Sequence, residues 1–316
     1  MLATRVPPNP LNRLSTIFCG SGEFAVPTLR VLASQHNIVR IFTQPDRPAG
    51  RGRKLTPTPV GQFAIENNLP LTRTDNINSE QLPPADVMVV IAFGQKIAEQ
   101  VIHHARLGAI NLHGSRLPKY RGAAPIHAAI LAGETVAGNS VIRLAQKMDA
   151  GAILGMSELP IGELETTGEL HDRLAQDGAT LVLHIIEELA TGRANEVEQD
   201  HSQATLAPKI KRDATRIDWN KPASHIALLI RAMHPWPGCH VKLIDGDREV
   251  ARATLVRARL ADGPAQPGVI NESGAIGTSD GAIEIVELQP ENGRVMSLAS
   301  FRNGRPWRAG MRVESL

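Results

Sequence analysis

The sequence predicts a doubly wound α/β domain followed by a small all-β domain. Short apolar runs alternate with helical patterns through the first two-thirds of the chain, which is typical of a parallel sheet covered by helices. Beyond Trp236 the pattern changes to short strands punctuated by glycine. The length of 316 residues is sufficient for two hydrophobic cores. In sheets of the first kind, chemistry lies beyond the carboxyl ends of the strands.

Strands of the α/β domain are predicted where apolar runs end at glycine or at polar residues. The run ADVMVVIAFG (85–94) is apolar on both faces, as a central parallel strand requires. Other strands are predicted at 14–20, 37–43 and 108–114, and two more within 141–161, joined by a turn at Asp149-Ala150-Gly151. Apolar residues at helical spacing predict helices at 24–34, 58–68, 96–105, 124–133 and 166–192, with Gly192 as a C-cap.

The remaining segments set the predicted domain boundaries. Residues 1–13 are proline-rich and are expected to form a disordered arm, and the polar, aperiodic residues 193–208 are expected to form a linker. The domains are therefore placed at 14–192 and 209–316. The second begins with a helix at 222–233 and continues with strands in CHVKLID, EVARATLVRARL, GVINES, AIGTSD and AIEIVELQP, which indicates a barrel or a sandwich.

Composition excludes several classes of protein. Aromatic residues make up only 3%, which argues against an RNA module that stacks bases on aromatic side chains. Cys19 and Cys239 form no CxxC motif, so neither a disulfide framework nor a cysteine zinc site is expected; we predict no metal and a reducing, cytoplasmic location. No apolar run approaches the ~18 residues of a membrane span, and the N-terminus lacks the apolar core of a signal peptide. The net charge of +2 predicts no particular partner.

GSGEFA (20–25) fits the GxGxxA pattern of dinucleotide sites, since it lies between a predicted strand and a predicted helix. The acidic residue expected about 20 positions later is absent, because Arg40 stands there. We therefore favour a tight glycine turn that leads into a helix, and a nicotinamide-dependent dehydrogenase is the weakest alternative.

The segment 43–60 (TQPDRPAGRGRKLTPTPV) is too long for a routine strand-to-helix connection of roughly 2–6 residues. It carries four cationic residues together with glycines and prolines. These residues are Arg47, Arg51, Arg53 and Lys54. A mobile cationic loop with accessible backbone is suited to holding phosphates, and the alternative is a solvated basic loop.

Asn111, His113 and Ser115 alternate at the carboxyl end of a predicted strand. Alternation places them on one side of the chain while it stays extended. Asn supplies a neutral N–H donor for a developing oxyanion, and His acts as a base or, when protonated, as a second donor. Asp149 is by itself a turn residue, but beside His113 it would stabilise the imidazolium and orient the ring.

The chain resembles the methionyl-tRNA formyltransferase family of folate-dependent formyltransferases from about Thr16 to its C-terminus. The matching pieces are EFAVPTL, TQPDRPAGRGRKLTPTPV, AFGQKI, INLHGSRLPKYRGAAPIHAAI, MDAGAIL and IDW…IRAMHPWPG. The HGS-LP-YRGAAPI block and the Asp-Ala-Gly turn are shared with other folate-dependent formyltransferases, so they indicate the reaction. The PDRPAGRG loop and the C-terminal domain indicate tRNA. The family usually reads Ser-Leu-Leu-Pro at 115–118 and Thr-Pro at 21–22, where this chain has Ser-Arg-Leu-Pro and Ser-Gly.

The resemblance implies a Rossmann-like catalytic domain and an OB-like barrel that binds tRNA. It also implies that Asn111, His113 and Asp149 are the catalytic trio, and that the loop with Arg51 grips the acceptor end of the tRNA. The tetrahydrofolate site is implied to involve Ser115, Arg116, Leu117 and Pro118. The implied partners are 10-formyltetrahydrofolate as co-substrate and methionyl initiator tRNA, with no membrane, and we expect a monomer.

The reaction expected on these residues begins with attack of the free α-amine of a charged methionine on the formyl carbon. Asn111 and protonated His113 would stabilise the tetrahedral oxyanion, and Asp149 would hold His113 in its charged form. Neither cysteine lies in a nucleophile motif, so no covalent enzyme intermediate is expected.

Three other functions remain open at this stage. An amino-sugar N-formyltransferase would share the folate core but leave the basic loop and the C-terminal domain unexplained. A glycinamide-ribonucleotide formyltransferase would be shorter and lack that domain. A nucleic-acid-binding module with an inactive site is disfavoured by the presence of Asn111, His113 and Asp149.

Overall fold

The computed structural model describes residues 13–50, 52–263 and 266–316, and they form two compact units. Unit 1 comprises most of the first half of the chain, to Arg121, together with Gly138–Leu159 and Asp172–Leu206. Unit 2 comprises Ala207–Leu316 and two short earlier segments, Gly122–Ala137 and Pro160–His171. The predicted disordered arm falls almost wholly outside the described residues.

Unit 1 is built on a seven-stranded sheet with the order β11-β10-β7-β6-β1-β2-β5. The strands in chain order, including short ribbon strands outside this sheet, are Ser15–Gly20 (β1), Asn37–Thr43 (β2), Arg47–Ala49 (β3), Lys54–Thr56 (β4), Leu71–Arg73 (β5), Val87–Ile91 (β6), Ala109–His113 (β7), Arg121–Gly122 (β8), Val136–Ala137 (β9), Ser140–Arg143 (β10) and Ile153–Met156 (β11). The five strands from β5 to β7 run parallel, whereas β10 is antiparallel to both of its neighbours. The sheet is therefore mixed. The connection between β10 and β11 is too short for a parallel crossover, which explains the antiparallel pairing of these two strands.

The helices follow the predicted pattern with one large difference. They are Val26–Gln35 (α1), Pro59–Glu66 (α2), Glu99–Ile102 (α3), Pro125–Leu131 (α4), Thr167–Ala190 (α5), Ala223–Ala232 (α6) and Leu298–Arg302 (α7). A 3-10 turn, Glu23–Ala25, precedes α1. The helix predicted over 96–105 contains only one turn, α3. The side chain of Asn78 accepts a hydrogen bond from the amide of Ala98 (2.7 Å), just before the first residue of this helix. No helix among the described residues is long and apolar enough to cross a membrane.

The core of unit 1 lies on the parallel strands. Phe18 of β1, Phe42 of β2 and Met88 of β6 are at most 1% exposed. Burial of each such side chain contributes roughly 1.5–3 kcal/mol to stability. These strands therefore form a rigid base, and their carboxyl ends carry the residues of the candidate site.

Unit 2 contains a nearly closed β-barrel with antiparallel strands, as predicted. Its strands and the two short ones before it are Leu159–Pro160 (β12), Leu206–Ala207 (β13), Cys239–Asp245 (β14), Arg248–Ala261 (β15), Ile276–Gly277 (β16), Ala282–Pro290 (β17), Met296–Ser297 (β18) and Arg312–Ser315 (β19). The main ladder has the order β16-β17-β15-β14-β19. Residues 268–270 link its two edges, since the amide of Gly277 donates to Val269 (2.9 Å) and that of Val313 donates to Gly268 (2.7 Å).

The segment predicted to be a linker is structured and lies mostly within unit 1. Most of the segment expected to be a linker, 193–208, belongs to unit 1, where Val197 pairs with Ile153 of β11 and Gln199 is 6% exposed. The polar composition that suggested a linker reflects side chains that hydrogen-bond inside unit 1. The boundaries of the domains at 192 and 209 stay a prediction.

Candidate active site

Strand β7 carries two of the predicted catalytic residues at the carboxyl edge of the sheet. Asn111 lies between Val90 of β6 and Ile142 of β10, and His113 is the last residue of the strand. The two side chains point to the same face, because their positions differ by two. Asn111 is half-buried, and among the described residues its carboxamide makes no hydrogen bond, which leaves its N–H donors available to a substrate.

His113 has both ring nitrogens next to oxygen acceptors. Its side chain is 7% exposed, its Nε2 lies 2.9 Å from the carbonyl oxygen of Tyr120, and its Nδ1 lies 3.7 Å from Oδ2 of Asp149. A carbonyl oxygen only accepts, so Nε2 donates to Tyr120. Nδ1 faces the carboxylate of Asp149, so the two sides of the imidazole are oriented by two different oxygen groups.

Asp149 lies in the turn between β10 and β11, in a left-handed backbone conformation with φ of +51°. Asp is one of the few residues other than glycine that tolerate this conformation. Gly151 is required two positions later, because a Cβ there would lie 2.0 Å from the carbonyl oxygen of Arg143. The turn brings the carboxylate of Asp149, which is 15% exposed, to His113.

The turn at 115–118, implied to line the folate site, is held by hydrogen bonds of its own. Ser115 is 4% exposed and its hydroxyl donates to the carbonyl of Lys119 (2.6 Å). The hydroxyl of Ser140 donates to the carbonyl of Ser115 (2.7 Å) and accepts from the amide of Leu117 (3.0 Å). The Leu117-Pro118 bond is cis.

The residues of this turn differ in what they present to the surface. Leu117 is buried, whereas Arg116 is 45% exposed and forms an ion pair with Glu158. Ser115 and Leu117 therefore shape the turn from within. Contact of residues 115–118 with folate stays a prediction.

The basic segment 43–60 contains a two-stranded hairpin. Strand β3 pairs with β4, with Arg47 opposite Thr56, and Gly50 (φ of +68°) lies in the turn. Arg53 and Lys54 are exposed, and Nη2 of Arg47 donates to Oε1 of Gln44 (3.0 Å). Arg51 lies outside the described residues. The hairpin thus presents its cations to solvent, but their contact with tRNA stays a prediction.

The two glycines of GSGEFA pack against the protein itself. A Cβ on Gly20 would lie 3.0 Å from the carbonyl oxygen of Ile91, and one on Gly22 would lie 3.2 Å from the Cβ of Ala92. The amides of Ser21 and Gly22 also donate to the carbonyl of Ala92 (3.3 Å each). The favoured interpretation as a tight glycine turn accounts for the motif.

Other reactive groups lie outside the candidate site. Cys19 and Cys239 are fully buried, and burial raises the pKa of both thiols, that of Cys239 to about 12. A thiol with so high a pKa is a poor nucleophile at neutral pH. Within the part of the chain that the structure describes, no three His, Cys, Asp or Glu residues are grouped so as to hold a metal.

Sequence reasoning missed three residues that surround His113 and Asp149. They are Tyr120, Arg121 and Gln199. The Nε2 of Gln199 donates to the carbonyl oxygens of Asp149 (2.9 Å) and Gly151 (2.8 Å), and Oε1 of Gln199 accepts from Nη2 of Arg121 (2.5 Å). Gln199 had no signal in the sequence, because it stands in a polar stretch without periodicity.

The chain is similar in sequence to known formyl transferases over most of its length. A family model described as "Formyl transferase" matches residues 13–186, and one described as "Formyl transferase, C-terminal domain" matches residues 209–306. A protein of Ectopseudomonas mendocina named methionyl-tRNA formyltransferase is 40% identical over 304 residues, covering 92% of this chain and 95% of the relative. A protein of the same name from Moorella thermoacetica is 37% identical over 303 residues, covering 92% and 96%.

Solved structures share the fold at lower identity. WlaRD, described as a sugar 3N-formyl transferase and solved with dTDP and 5-N-formyl-THF, aligns with a TM-score of 0.60 and 20% identity over 90% of this chain and all of its own. An N-formyltransferase from Helicobacter canadensis, solved with folinic acid and dTDP-3-aminofucose, aligns with a TM-score of 0.62 and 16% identity over 85% of this chain and 97% of its own. At such identities the alignments establish the fold.

Proposed function

This chain belongs to the formyl transferase family, and on that premise we propose that it transfers the formyl group of 10-formyltetrahydrofolate to the free α-amino group of methionyl initiator tRNA. The product is N-formylmethionyl-tRNA, which serves translation initiation. The observation that carries the proposal is the extent of the similarity, which runs through both units to relatives that bear this name. The side chains at the end of β7 supply the donors that formyl transfer requires.

Asn111 and His113 act where negative charge develops. The carboxamide of Asn111 donates to the formyl oxygen as the α-amine adds to the formyl carbon, and the imidazolium of His113 assists. Nε2 of His113 now donates to the carbonyl of Tyr120, so donation to substrate requires this hydrogen bond to be shared or exchanged. Asp149 faces Nδ1 and orients the ring.

The amine must lose a proton and N10 of the folate must gain one during the reaction. His113 is the titratable group nearest to Asn111 on β7, which supports it as the carrier: the imidazolium gives a proton to N10 as tetrahydrofolate leaves and then accepts the proton of the amine, directly or through a water molecule. The folate supplies the formyl group and leaves as tetrahydrofolate. Ser115, Arg116, Leu117 and Pro118 form the turn that follows His113, and this placement supports their contact with the folate.

The tRNA is held mainly through its phosphates. The basic residues of segment 43–60, which are Arg47, Arg51, Arg53 and Lys54, position the acceptor end without reading bases. Unit 2 adds a cleft lined by Arg216, Arg312 and Glu314. Arg312 pairs with Glu314 (3.5 Å), so Arg216 is the cation that the cleft offers for a further phosphate contact. Binding is therefore expected to weaken as salt is raised.

The test is an assay with two acceptors. Purified protein is given 10-formyltetrahydrofolate with either methionyl initiator tRNA or a UDP-amino sugar. We expect transfer to the tRNA alone. Transfer to the sugar alone would retain the roles of the trio and establish the alternative, an amino-sugar N-formyltransferase. This alternative is tested because the chain shares its fold with sugar formyltransferases.

A further inference from the structure

We propose that Arg121 and Gln199 are positioning residues that hold Asp149 and His113 in their reactive arrangement through a closed ring of polar contacts. The proposal rests on the function proposed above and concerns the geometry of the same site. All of the residues in the ring lie in unit 1. Neither Arg121 nor Gln199 reaches the reacting atoms, so both act through Asp149.

The ring has two arms that begin at adjacent residues. In the first arm, the carbonyl of Tyr120 accepts a hydrogen bond from Nε2 of His113 at 2.9 Å. In the second arm, the guanidinium of Arg121 donates to Oε1 of Gln199, from Nη2 at 2.5 Å and from Nε at 3.2 Å. One dipeptide therefore fixes both ends of the His113–Asp149 pair.

Gln199 transmits this constraint to the turn that carries Asp149. Its Nε2 donates to the carbonyls of Asp149 (2.9 Å) and Gly151 (2.8 Å), so one amide group clamps both sides of the turn. Asp149 has a φ of +51°, in the left-handed region that Asp tolerates, and the two hydrogen bonds of Gln199 fix the position of its turn. Loss of the clamp would let the turn relax and withdraw the carboxylate from His113.

The burial of Arg121 and Gln199 supports a role beyond folding. Arg121 is 5% exposed and Gln199 is 6% exposed. Among the described residues Arg121 forms no ion pair with a carboxylate; its other neighbour is Nδ1 of His201, at 2.8 Å. A buried charge without an opposite charge is costly, so stability alone would favour an apolar residue at this position.

The carboxamide orientation of Gln199 is also determined. The acceptor side faces only guanidinium donors and the donor side faces only carbonyl oxygens, so reversal would place like groups together. The Gln199→Glu variant therefore tests one arm without the other. It keeps the acceptor for Arg121 and the volume of the side chain, but it removes both N–H donors to the turn.

The experiment is a double-mutant cycle measured in kcat for formyl transfer, with Gln199→Ala and Gln199→Glu each combined with Asp149→Asn. Asn tolerates the left-handed conformation, so the second change removes charge with little strain. We expect each Gln199 variant alone to lower kcat at least about tenfold, with KM for folate and tRNA nearly unchanged. In the Asp149→Asn background, the same Gln199 variants should lower kcat less than about twofold. Equal losses in both backgrounds would overturn the proposal.

Two further measurements separate positioning from general damage. Gln289→Ala is the matched control, because Gln289 in unit 2 also donates to a loop carbonyl, that of Gly293 (3.0 Å), and should leave kcat unchanged. The ¹⁵N resonances of the His113 ring should shift in Gln199→Glu without change in its melting temperature. Unshifted resonances with a lowered melting temperature would mean that Gln199 serves stability only. Absence of formyl transfer by the unmodified protein would instead overturn the proposed function.

Discussion

His113 and Asp149 face each other across 3.7 Å between Nδ1 and Oδ2. This separation suits an ion pair but exceeds the 2.7–3.2 Å of an ordinary N–H···O hydrogen bond. Catalytic hydrogen bonds are often long before substrate binds and shorten in the reactive complex. The fold thus brings the carboxylate to the ring, and we expect this contact to shorten in the reactive complex.

Asn111→Ala should lower kcat by about 10²–10³, because it removes one donor to the developing oxyanion. The melting temperature should change little, since the carboxamide of Asn111 makes no hydrogen bond among the described residues. Initial rates with methionyl initiator tRNA and circular dichroism melts check both points. A near-normal rate would remove Asn111 from the catalytic trio.

Asp149→Asn should lower kcat by about 10² or more, because the variant no longer presents a carboxylate to Nδ1 of His113, the group expected to carry the proton. The backbone of the turn should persist, since Asn tolerates the φ of +51° found at this position. Single-turnover rates across pH measure the loss. A rate that falls only through KM for tRNA would place Asp149 in binding and not in catalysis.

Removal of a basic side chain of segment 43–60 by Arg47→Ala, Arg51→Ala, Arg53→Ala or Lys54→Ala should raise KM for tRNA and leave folate binding unchanged. Each lost phosphate contact should reduce the salt dependence of log K by roughly 0.7–0.9. Filter binding of tRNA at several salt concentrations, with folate titrations alongside, provides the measurement.

Arg106→Ala is the matched control for the hairpin variants. It also removes an exposed arginine of unit 1, one that pairs with Asp86 at the opposite, amino-terminal edge of the sheet. Its tRNA affinity should equal that of the unmodified protein. An equal loss in this control would indicate a general effect of charge, and parallel loss of tRNA and folate binding would mean that the hairpin is structural.

Glu169→Gln should destabilise the protein at neutral pH by about 1 kcal/mol, a modest amount because the ion pair with Arg257 is partly exposed. Arg257 and the hydrogen bonds of Thr166 lower the pKa of Glu169 from 4.5 to about 2. A lowered pKa in the folded state contributes stability that is present above pH 4.5 and is lost as the pH falls towards 2. Urea unfolding of both proteins should therefore converge across this range. A difference in the free energy of unfolding that stays constant from pH 7 to pH 2 would contradict this prediction.

The order of the elements and half of the site followed from local pattern. The strand predicted at 37–43 is β2 as found, and 108–114 contains β7, because buried strands leave continuous apolar runs in the sequence. Asn111 and His113 could be placed on one face at the carboxyl end of β7, since alternation along a strand is a property of its own backbone. The barrel strand at 239–245 was likewise predicted with the same first and last residues that the structure shows.

Contacts between distant segments required the tertiary structure. Neither the approach of Asp149 to His113 nor the clamp by Gln199 leaves a periodic signal, because each depends on a single side chain meeting a remote backbone group. The reversed direction of β10 likewise depends on which strand it pairs with. The sequence by itself determined the strands, the helices and the residues with suitable chemistry, since these depend on local periodicity and residue type. Only the fold decided which of those residues meet, because that depends on how the chain returns to the same edge of the sheet.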